Sequence, residues 1–236
     1  NITAVVTVAD DGGSSGILRS DLGMLAPGDV RNCVSALAEV DPVMGELLNF
    51  RFKDGRLKGH SLGNLFLAAL NETSSSFDEA VKKFSHLTGV VGTVYPVTNE
   101  SVTLSALLED GRLIEGESHI GVHHDGPKNG IVKLMVNPEK PKAVDGVIKA
   151  LEKADIIVLG PGSLYTSIIP NLLVDGVVDA IKKSNAVKIY VCNIMSQAGE
   201  TENYTVSDHL AAIERHSYEG IADIVIANNA IIPESL

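Results

Sequence analysis

The stretch NITAVVTVADDGGSSGILR, residues 1–19, joins a short apolar run to an acidic and glycine-rich continuation. Residues 4–8 are apolar and largely β-branched, which is typical of a strand covered on both faces in a parallel sheet. Asp10 and Asp11 follow, and then Gly-Gly-Ser-Ser-Gly at residues 12–16. Glycines let the backbone approach a ligand closely, and free N–H groups with serine hydroxyls bind anions. Taken alone, the stretch leaves two interpretations open, a ligand-binding loop or a flexible surface loop.

Strands alternate with helices along most of the chain, which predicts an α/β fold with a parallel sheet covered by helices on both faces. The strands expected to be adjacent in that sheet are residues 2–8, 155–160, 187–192 and 223–228. The expected helices are 30–40, with Asp29 as N-cap, 43–50, 60–72, 77–87, 141–153 and 205–215. Residues 93–136 read instead as short antiparallel strands with a hairpin at Asp110-Gly111.

A second glycine loop follows the strand expected at 155–160. It reads Gly160-Pro161-Gly162-Ser163, with Thr166 and Ser167 near a helix start. Glycine after a strand, with hydroxyls at a helix N-terminus, is the usual construction of a phosphate cradle, although the sequence is neither GxGxxG nor a P-loop. The alternative is a strained turn. Ligands bind at the carboxyl ends of parallel strands, where Asn193 also lies after the strand at 187–192.

GHSLG, residues 59–63, has the G-x-S-x-G pattern of a hydrolase nucleophile elbow. That elbow requires a buried strand before it, and the preceding RFKDGRLK is too charged for one. We therefore predict that Ser61 lies at a helix start without a catalytic histidine. His60 and Asn64 are one helical turn apart and are expected to face a ligand.

Acidic and histidine-rich stretches raise the question of a metal site. Asp10, Asp11 and Asp29 offer the hard oxygen ligands that Mg²⁺ prefers, so Asp10 and Asp11 are candidate magnesium ligands; a carboxylate at a strand end can equally bind a ribose. HIGVHHD, residues 119–125, lacks the helix that i, i+4 histidine ligation needs, so a solvated loop is expected there.

Composition limits the partners. The 236 residues suit one α/β domain, and the net charge of -11 predicts no nucleic-acid binding. The two distant cysteines indicate free thiols in a reducing compartment. Since neither a membrane-spanning stretch nor a signal peptide is apparent, a cytoplasmic location is expected.

Five stretches together resemble the YvcK family of gluconeogenesis factors, whose relative is CofD, the 2-phospho-L-lactate transferase. They are TVADDGGSSGILR, PGDVRNCVSAL, GHSLGNLFLAAL, LGPGSLYTSIIPNLLV and NIMSQAGETENYTVSDHL. The resemblance implies one Rossmann-like, three-layer α/β/α domain over residues 1–236 with an antiparallel excursion at 93–136. It also implies a homo-oligomeric cytoplasmic protein that binds a UDP-sugar and is needed for cell shape and growth on gluconeogenic carbon sources. The family's first strand, with a GGGTG loop, and its C-terminal extension are absent from the 236 residues.

The leading hypothesis is a regulatory protein that binds a nucleotide sugar. The alternative is a CofD-like, Mg-dependent transferase that moves a phospholactyl group from a nucleotide-linked donor to a flavin-like alcohol. An NAD(P) dehydrogenase lacks its GxGxxG signature. The candidate ligand-binding residues are Asp10, Asp11, Gly12, Gly13, Ser14, Asp29, Asn32, His60, Asn64, Gly160, Pro161, Gly162, Ser163, Ser167 and Asn193.

Overall fold

The computed structural model describes residues 1–122 and 130–230, so the expected loop at 119–125 lies partly outside the described residues. Strands within these ranges are β1 (Thr3–Val6), β2 (Thr93–Pro96), β3 (Thr103–Leu108), β4 (Leu113–Glu115), β5 (Ile131–Asn137), β6 (Ile156–Leu159), β7 (Val187–Val191) and β8 (Ile224–Ile226). Helices there are α1 (Gly13–Leu22), α2 (Gly28–Leu37), α3 (Pro42–Asn49), α4 (Leu62–Glu72), α5 (Phe77–Leu87), α6 (Glu117–Ile120), α7 (Asp145–Lys153), α8 (Ile169–Leu172), α9 (Val177–Lys183) and α10 (Val206–Arg215). A π-helical turn, Leu164–Ile168, runs directly into α8.

The fold is α/β, with two parallel sheets and one antiparallel sheet. β1 pairs with β2, and β6, β7 and β8 form a second parallel sheet. The expectation that residues 2–8 and 155–160 share one sheet is therefore wrong within the described chain. The antiparallel sheet β4-β3-β5 matches the expected middle region, and its hairpin turns at Asp110-Gly111. β2 departs from that expectation because it pairs in parallel with β1.

Buried apolar faces hold the helices against the strands. In α5, Phe84 and Val81 are fully buried and pack in one core cluster with Leu67 of α4 and Val94 of β2. Each such side chain contributes roughly 1.5–3 kcal/mol on burial. The helix has clear ends: the Ser76 hydroxyl accepts the N–H of Glu79, and the bounds of α5 are those expected from the sequence. Helices α2, α4 and α5 thus pack in one core cluster with β1, the strand that precedes the acidic loop.

Helix α1 was not expected from the sequence, and α2, α4 and α7 begin at Gly28, Leu62 and Asp145 instead of residues 30, 60 and 141. Helix α1 begins at Gly13, so much of the glycine–serine stretch forms a first helical turn, and Gly13 has a φ of 44° that favours glycine. Helix α2 has Pro27 at its N-cap, and Asp29 lies in the first turn without capping it. A carboxylate in this position still interacts favourably with the helix dipole.

A cleft of about 1020 Å³ separates the two parallel sheets. One wall is the edge of β1 with residues up to Thr7, and the other is β6 with the loop that follows it. Thus β1 and β6, which belong to two different parallel sheets, both line the same cleft. None of the helices within residues 1–122 and 130–230 has the length and apolar character required to cross a bilayer.

Candidate functional site

The cleft collects part of the residue set expected from the sequence. Asp29 and Asn32, from the first two turns of α2, line one side, and Gly160, Pro161, Gly162 and Ser167 line the other. The other candidates lie outside its lining; they are Asp10, Asp11, Gly12, Gly13, Ser14, His60, Asn64, Ser163 and Asn193. Six of the fifteen candidate residues therefore line one cleft, which lies between two sheets and not at the edge of one continuous sheet.

The loop after β1 is held by an arginine that sequence reasoning missed. Arg19 Nη1 donates to the carbonyl oxygens of Ala9 and Asp10, each at 3.0 Å, and Nη2 donates to the carbonyl of Val102 at 2.7 Å. Asp10 Oδ1 accepts the N–H of Gly12 at 2.9 Å. A β-carbon added to Gly28 would stand 2.9 Å from Asp10 Oδ2, so this carboxylate lies against the start of α2.

Asp11 connects this loop to the antiparallel sheet. Its Oδ1 accepts the N–H of Ser118 at 2.8 Å, and its Oδ2 accepts the N–H of Glu117 at 3.1 Å. The carboxylate thus satisfies two N–H groups at the start of α6 that have no partner within the helix. Each oxygen accepts one hydrogen bond from the start of α6 and keeps further acceptor capacity, so the contact of Asp11 with a sugar or a metal stays a prediction.

The magnesium ion expected at Asp10 and Asp11 stays a prediction, because Mg²⁺ is usually held by only one or two carboxylates together with waters and ligand phosphates. Among the residues that the structure describes, no group of three or more histidine, cysteine, aspartate or glutamate side chains is arranged to hold a metal. Asp10 keeps one carboxylate oxygen that accepts no hydrogen bond within that part of the chain, whereas Asp11 keeps none.

The loop after β6 is shaped by Asn193. The N–H of Gly162 donates to Asn193 Oδ1 at 3.2 Å, and Asn193 Nδ2 donates to the Gly162 carbonyl at 2.8 Å. The Gly162 N–H is therefore already engaged, contrary to the expectation that it faces a phosphate. Gly160 has a φ of 85°, and a β-carbon there would stand 2.9 Å from the Val191 carbonyl oxygen. Glycine is required at this crossing of two strand ends.

Glu200 accepts hydrogen bonds from residues that directly follow the glycine loop, and the sequence analysis did not identify it. The residue is 3% exposed. Its Oε2 accepts the N–H of Tyr165 at 2.9 Å, and its Oε1 accepts the Thr166 hydroxyl at 2.9 Å and the Gln197 side-chain amide at 3.0 Å. A buried carboxylate at the start of the π-helical turn joins the segments that follow β6 and β7.

A buried polar chain lies behind the opening loop. Ser14 Oγ is 3.0 Å from His60 Nδ1 and accepts from Asn64 Nδ2 at 3.2 Å. Arg31 donates from Nε to Asn64 Oδ1 at 3.3 Å and from Nη1 to Asn49 Oδ1 at 2.7 Å. Burial lowers the pKa of Arg31, and nearby Arg51 lowers it further, while Asp29 opposes both.

Ser61 lies where the sequence places it, at the N-cap of α4, and its hydroxyl accepts the N–H of Asn64 at 3.2 Å. The two histidines considered as triad partners bind backbone carbonyls of their own helix. His209 Nδ1 lies 2.8 Å from the Thr205 carbonyl oxygen, and His216 Nδ1 lies 2.7 Å from the Ala212 carbonyl oxygen. Within the described residues, Ser61 lies at a helix start as predicted and no histidine ring forms a hydrogen bond to it.

Carboxylates concentrate around the opening loop. The pKa of Glu117 rises to about 7, first because the carboxyl is half-buried and then because Asp10, Asp11, Asp29 and Glu200 repel its charge. Burial also raises the pKa of Asp29, with repulsion by Asp10 adding to it and Arg31 opposing it. The site therefore holds a carboxyl group that gains or loses its proton near neutral pH.

This cluster predicts how stability varies with pH. The pKa of Glu117 is higher in the folded protein than in the unfolded chain, so its contribution is fully present below about pH 4.5 and is lost as pH rises through about 7. Glu117→Gln should remove that loss and raise the free energy of unfolding at about pH 8 by roughly 1 kcal/mol, after discounting for solvent screening. Urea unfolding at about pH 5 and pH 8 measures it, with the exposed Glu139→Gln as control. Equal pH dependence in wild type and Glu117→Gln would contradict it.

Different signals separate the residues that sequence reasoning found from those it missed. Glycine loops after apolar runs mark the positions near Gly160 directly. Glu200 stands in the stretch NIMSQAGETENY, in which no regular periodicity distinguishes it, and Glu117 follows the short strand β4. Both act through backbone partners that are remote in sequence, and a single sequence carries no signal for such pairs.

Comparisons with known proteins place this geometry in a family. The family model described as 2-phospho-L-lactate transferase CofD matches residues 1–236. The gluconeogenesis factor of Bacillus subtilis is 45% identical over 239 residues, covering 100% of this chain and 74% of that protein. A Clostridium acetobutylicum protein, also named for gluconeogenesis, is 51% identical over 236 residues, and this chain spans only 52% of its length.

A solved structure gives the same picture in three dimensions. The crystal structure of a Bacillus halodurans protein superposes with a TM-score of 0.96 at 46% sequence identity, covering 99% of this chain and 74% of that one. The resemblance noted from the five sequence stretches is confirmed, because they lie within the matched length. The chain belongs to the CofD family, together with the bacterial gluconeogenesis factors.

Proposed function

We propose that the protein binds a nucleotide sugar of the UDP-sugar class in the cleft between the two parallel sheets and acts as a gluconeogenesis factor. One observation carries the proposal: the first turns of α2, which packs against the β1–β2 sheet, and the glycine loop after β6 line the same cleft of about 1020 Å³. We assign the ligand to the end of the cleft where Asp29, Asn32, Gly162 and Ser167 lie, because polar groups and glycines meet there.

The two walls offer different chemistry to that ligand. On the β6 side, Gly160 and Gly162 add no side chain, and Ser167 lines the cleft with its hydroxyl, which suits close approach of a diphosphate. On the α2 side, Asp29 lines the cleft, and Asp10 Oδ2 lies against the start of that helix. Carboxylates accept hydrogen bonds from sugar hydroxyls and repel phosphate. We therefore orient the phosphates toward β6 and the sugar or ribose toward α2.

The wider biological role belongs to the same proposal. We place the protein in the cytoplasm as a homo-oligomer that acts in carbon and cell-wall metabolism and in the control of cell shape, with residues 1–236 as one Rossmann-like, three-layer nucleotide-sugar-binding domain. The support is membership in the family that contains the gluconeogenesis factors. Growth of a deletion strain on gluconeogenic and glycolytic carbon sources, with its cell shape, tests this role directly.

Gly162→Val should weaken binding of a UDP-sugar at least about tenfold, because the branched side chain occupies space at the cleft wall. The nearest atoms to its β-carbon would be Ser167 Cβ at 3.4 Å, Ile168 Cγ1 at 3.9 Å and Ser167 Oγ at 4.0 Å, all ordinary contacts, so folding should change little. Calorimetric titration with UDP-glucose measures the affinity, and circular dichroism checks the fold. Gly45→Val, in α3 and outside the cleft, is the matched control; equal affinities in all three proteins would contradict the proposed site.

A transferase of the CofD type is the second candidate. Two observations favour it: the family model matches the whole chain, and Glu117 supplies a carboxyl group that exchanges its proton near neutral pH. This reading requires turnover, whereas the binding protein requires only a complex. Incubation with a nucleotide-linked phospholactate and a deazaflavin alcohol, followed by detection of the phospholactyl product, separates the two.

A further inference from the structure

The polar chain behind the opening loop fixes the direction of each of its hydrogen bonds. A guanidinium group only donates hydrogen bonds, so the oxygen of the Asn64 amide must face Arg31. The amide nitrogen of Asn64 then faces Ser14 and donates to its hydroxyl oxygen at 3.2 Å. At the far end Asn49 repeats this arrangement, since its oxygen accepts from Arg31 and its nitrogen donates to the Gly45 carbonyl at 3.0 Å.

Ser14 passes this direction on to His60. Its oxygen accepts a hydrogen bond from Asn64, and its own proton needs an acceptor because the residue is only 6% exposed. Within the described residues, the acceptor in reach is His60 Nδ1 at 3.0 Å. A nitrogen that accepts this bond carries no proton, so the proton of the neutral imidazole lies on Nε2.

Space for the arginine is part of the arrangement. Arg31 is 7% exposed, and a β-carbon on Gly63 of α4 would stand 2.9 Å from its Cδ and 2.6 Å from the Leu48 carbonyl oxygen. The absence of a side chain at Gly63 therefore leaves room for the Arg31 side chain, whose guanidinium reaches Asn64. The same helix supplies Asn64 itself, one residue further along.

We propose that Arg31, Asn64 and Ser14 act as positioning residues that hold His60 as the neutral tautomer protonated on Nε2, and that this N–H donates to an oxygen of the ligand. His60 is 8% exposed, and its Nε2 has no partner among the residues that the structure describes. This Nε2 is not among the fully buried atoms that lack a hydrogen-bond partner, so its N–H reaches solvent beside the opening loop. His60 lies outside the lining of the cleft, so the N–H would meet a part of the ligand that extends beyond that lining. The donor role rests on the proposed function; the choice of tautomer does not.

The tautomer is measured by nitrogen-15 NMR of the imidazole rings in the ligand-free protein, with the His60→Gln spectrum identifying the His60 signals. We expect Nδ1 in the unprotonated range and Nε2 in the protonated range. In Asn64→Asp the new carboxylate accepts from both Arg31 and Ser14, so the serine oxygen must accept from His60 and the proton should move to Nδ1. Asn71→Asp, in the same helix and outside the polar chain, should leave the His60 signals unchanged.

Two results overturn the proposal: a wild-type His60 protonated on Nδ1, or an Asn64→Asp variant that folds and keeps the wild-type pattern. If Asn64→Asp does not fold, Ser14→Ala replaces it. Because a free neutral histidine favours protonation on Nε2, the form protonated on Nδ1 should then appear as a minor species, and a spectrum identical to that of the wild type would contradict the role of Ser14. UDP-glucose should shift the Nε2 signal of the wild type; binding without that shift removes the donor role. Absence of UDP-glucose binding overturns the proposed function instead, and the ligand-free spectra still decide the tautomer.

Discussion

Replacing Gly16 by alanine is expected to lower the free energy of unfolding by about 3 kcal/mol. A β-carbon at this position would stand 2.1 Å from the carbonyl oxygen of Asp11 and 2.8 Å from its carbonyl carbon. Both are backbone atoms, so no rotamer change relieves the contact. Helix α1 must therefore shift away from the loop that carries Asp10 and Asp11, and the ligand affinity should fall with the stability.

Chemical unfolding monitored by circular dichroism measures this loss. Gly45→Ala is the matched control, since a β-carbon in that part of α3 meets only Val40 Cγ2 at 3.7 Å. There alanine should be neutral or should stabilise by up to about 1 kcal/mol through helix propensity. If Gly16→Ala were as stable as Gly45→Ala, the close approach of α1 to the opening loop would be wrong.

Glu200→Ala is expected to cost a similar amount, about 3 kcal/mol or more, for a different reason. The substitution leaves the N–H of Tyr165, the Thr166 hydroxyl and the Gln197 amide without the acceptor that they share. All three belong to the turn and the loop that support the β6 side of the cleft. Binding of UDP-glucose should therefore weaken even at temperatures where the variant is folded.

Glu202→Ala provides the comparison, because Glu202 is exposed and only two residues away. Thermal unfolding and calorimetric titration of both variants separate loss of a buried acceptor from loss of one negative charge. Glu200→Gln should fall between wild type and Glu200→Ala, since an amide keeps one acceptor oxygen. Equal behaviour of Glu200→Ala and Glu202→Ala would contradict the role given to the buried carboxylate.

Local patterns in the sequence predict the elements well where one face of a helix or strand is buried. Helix α5 has the bounds expected from its 3.6-residue apolar period, and β6 and β7 lie within one or two residues of the expected ranges. In these elements burial and local propensity favour the same structure. The first glycine stretch was harder, because the residues that suit a tight loop also permit the first turn of α1 at Gly13.

Pairing between distant segments could not be predicted. β1 and β6 have the composition of central strands, yet within the described chain one pairs with β2 and the other with β7. The hydrogen bonds that Asp11 accepts from the start of α6, and the one that the Gly162 N–H donates to Asn193, were not predicted either. In each case the partner is set by tertiary packing, to which neither composition nor periodicity responds.

The hydrogen bonds from Asp11 to α6 connect residues 106 and 107 positions apart. Contacts between residues so far apart in sequence form slowly, because closing a long loop costs chain entropy before the contact contributes any stabilisation. A chain emerging from the ribosome presents its N-terminal end first. The loop with Asp10 and Asp11 therefore cannot form its native hydrogen bonds until Glu117 and Ser118 have been synthesised. Native hydrogen bonding of Asp11 therefore requires that the first half of the chain, as far as Ser118, has been synthesised and folded.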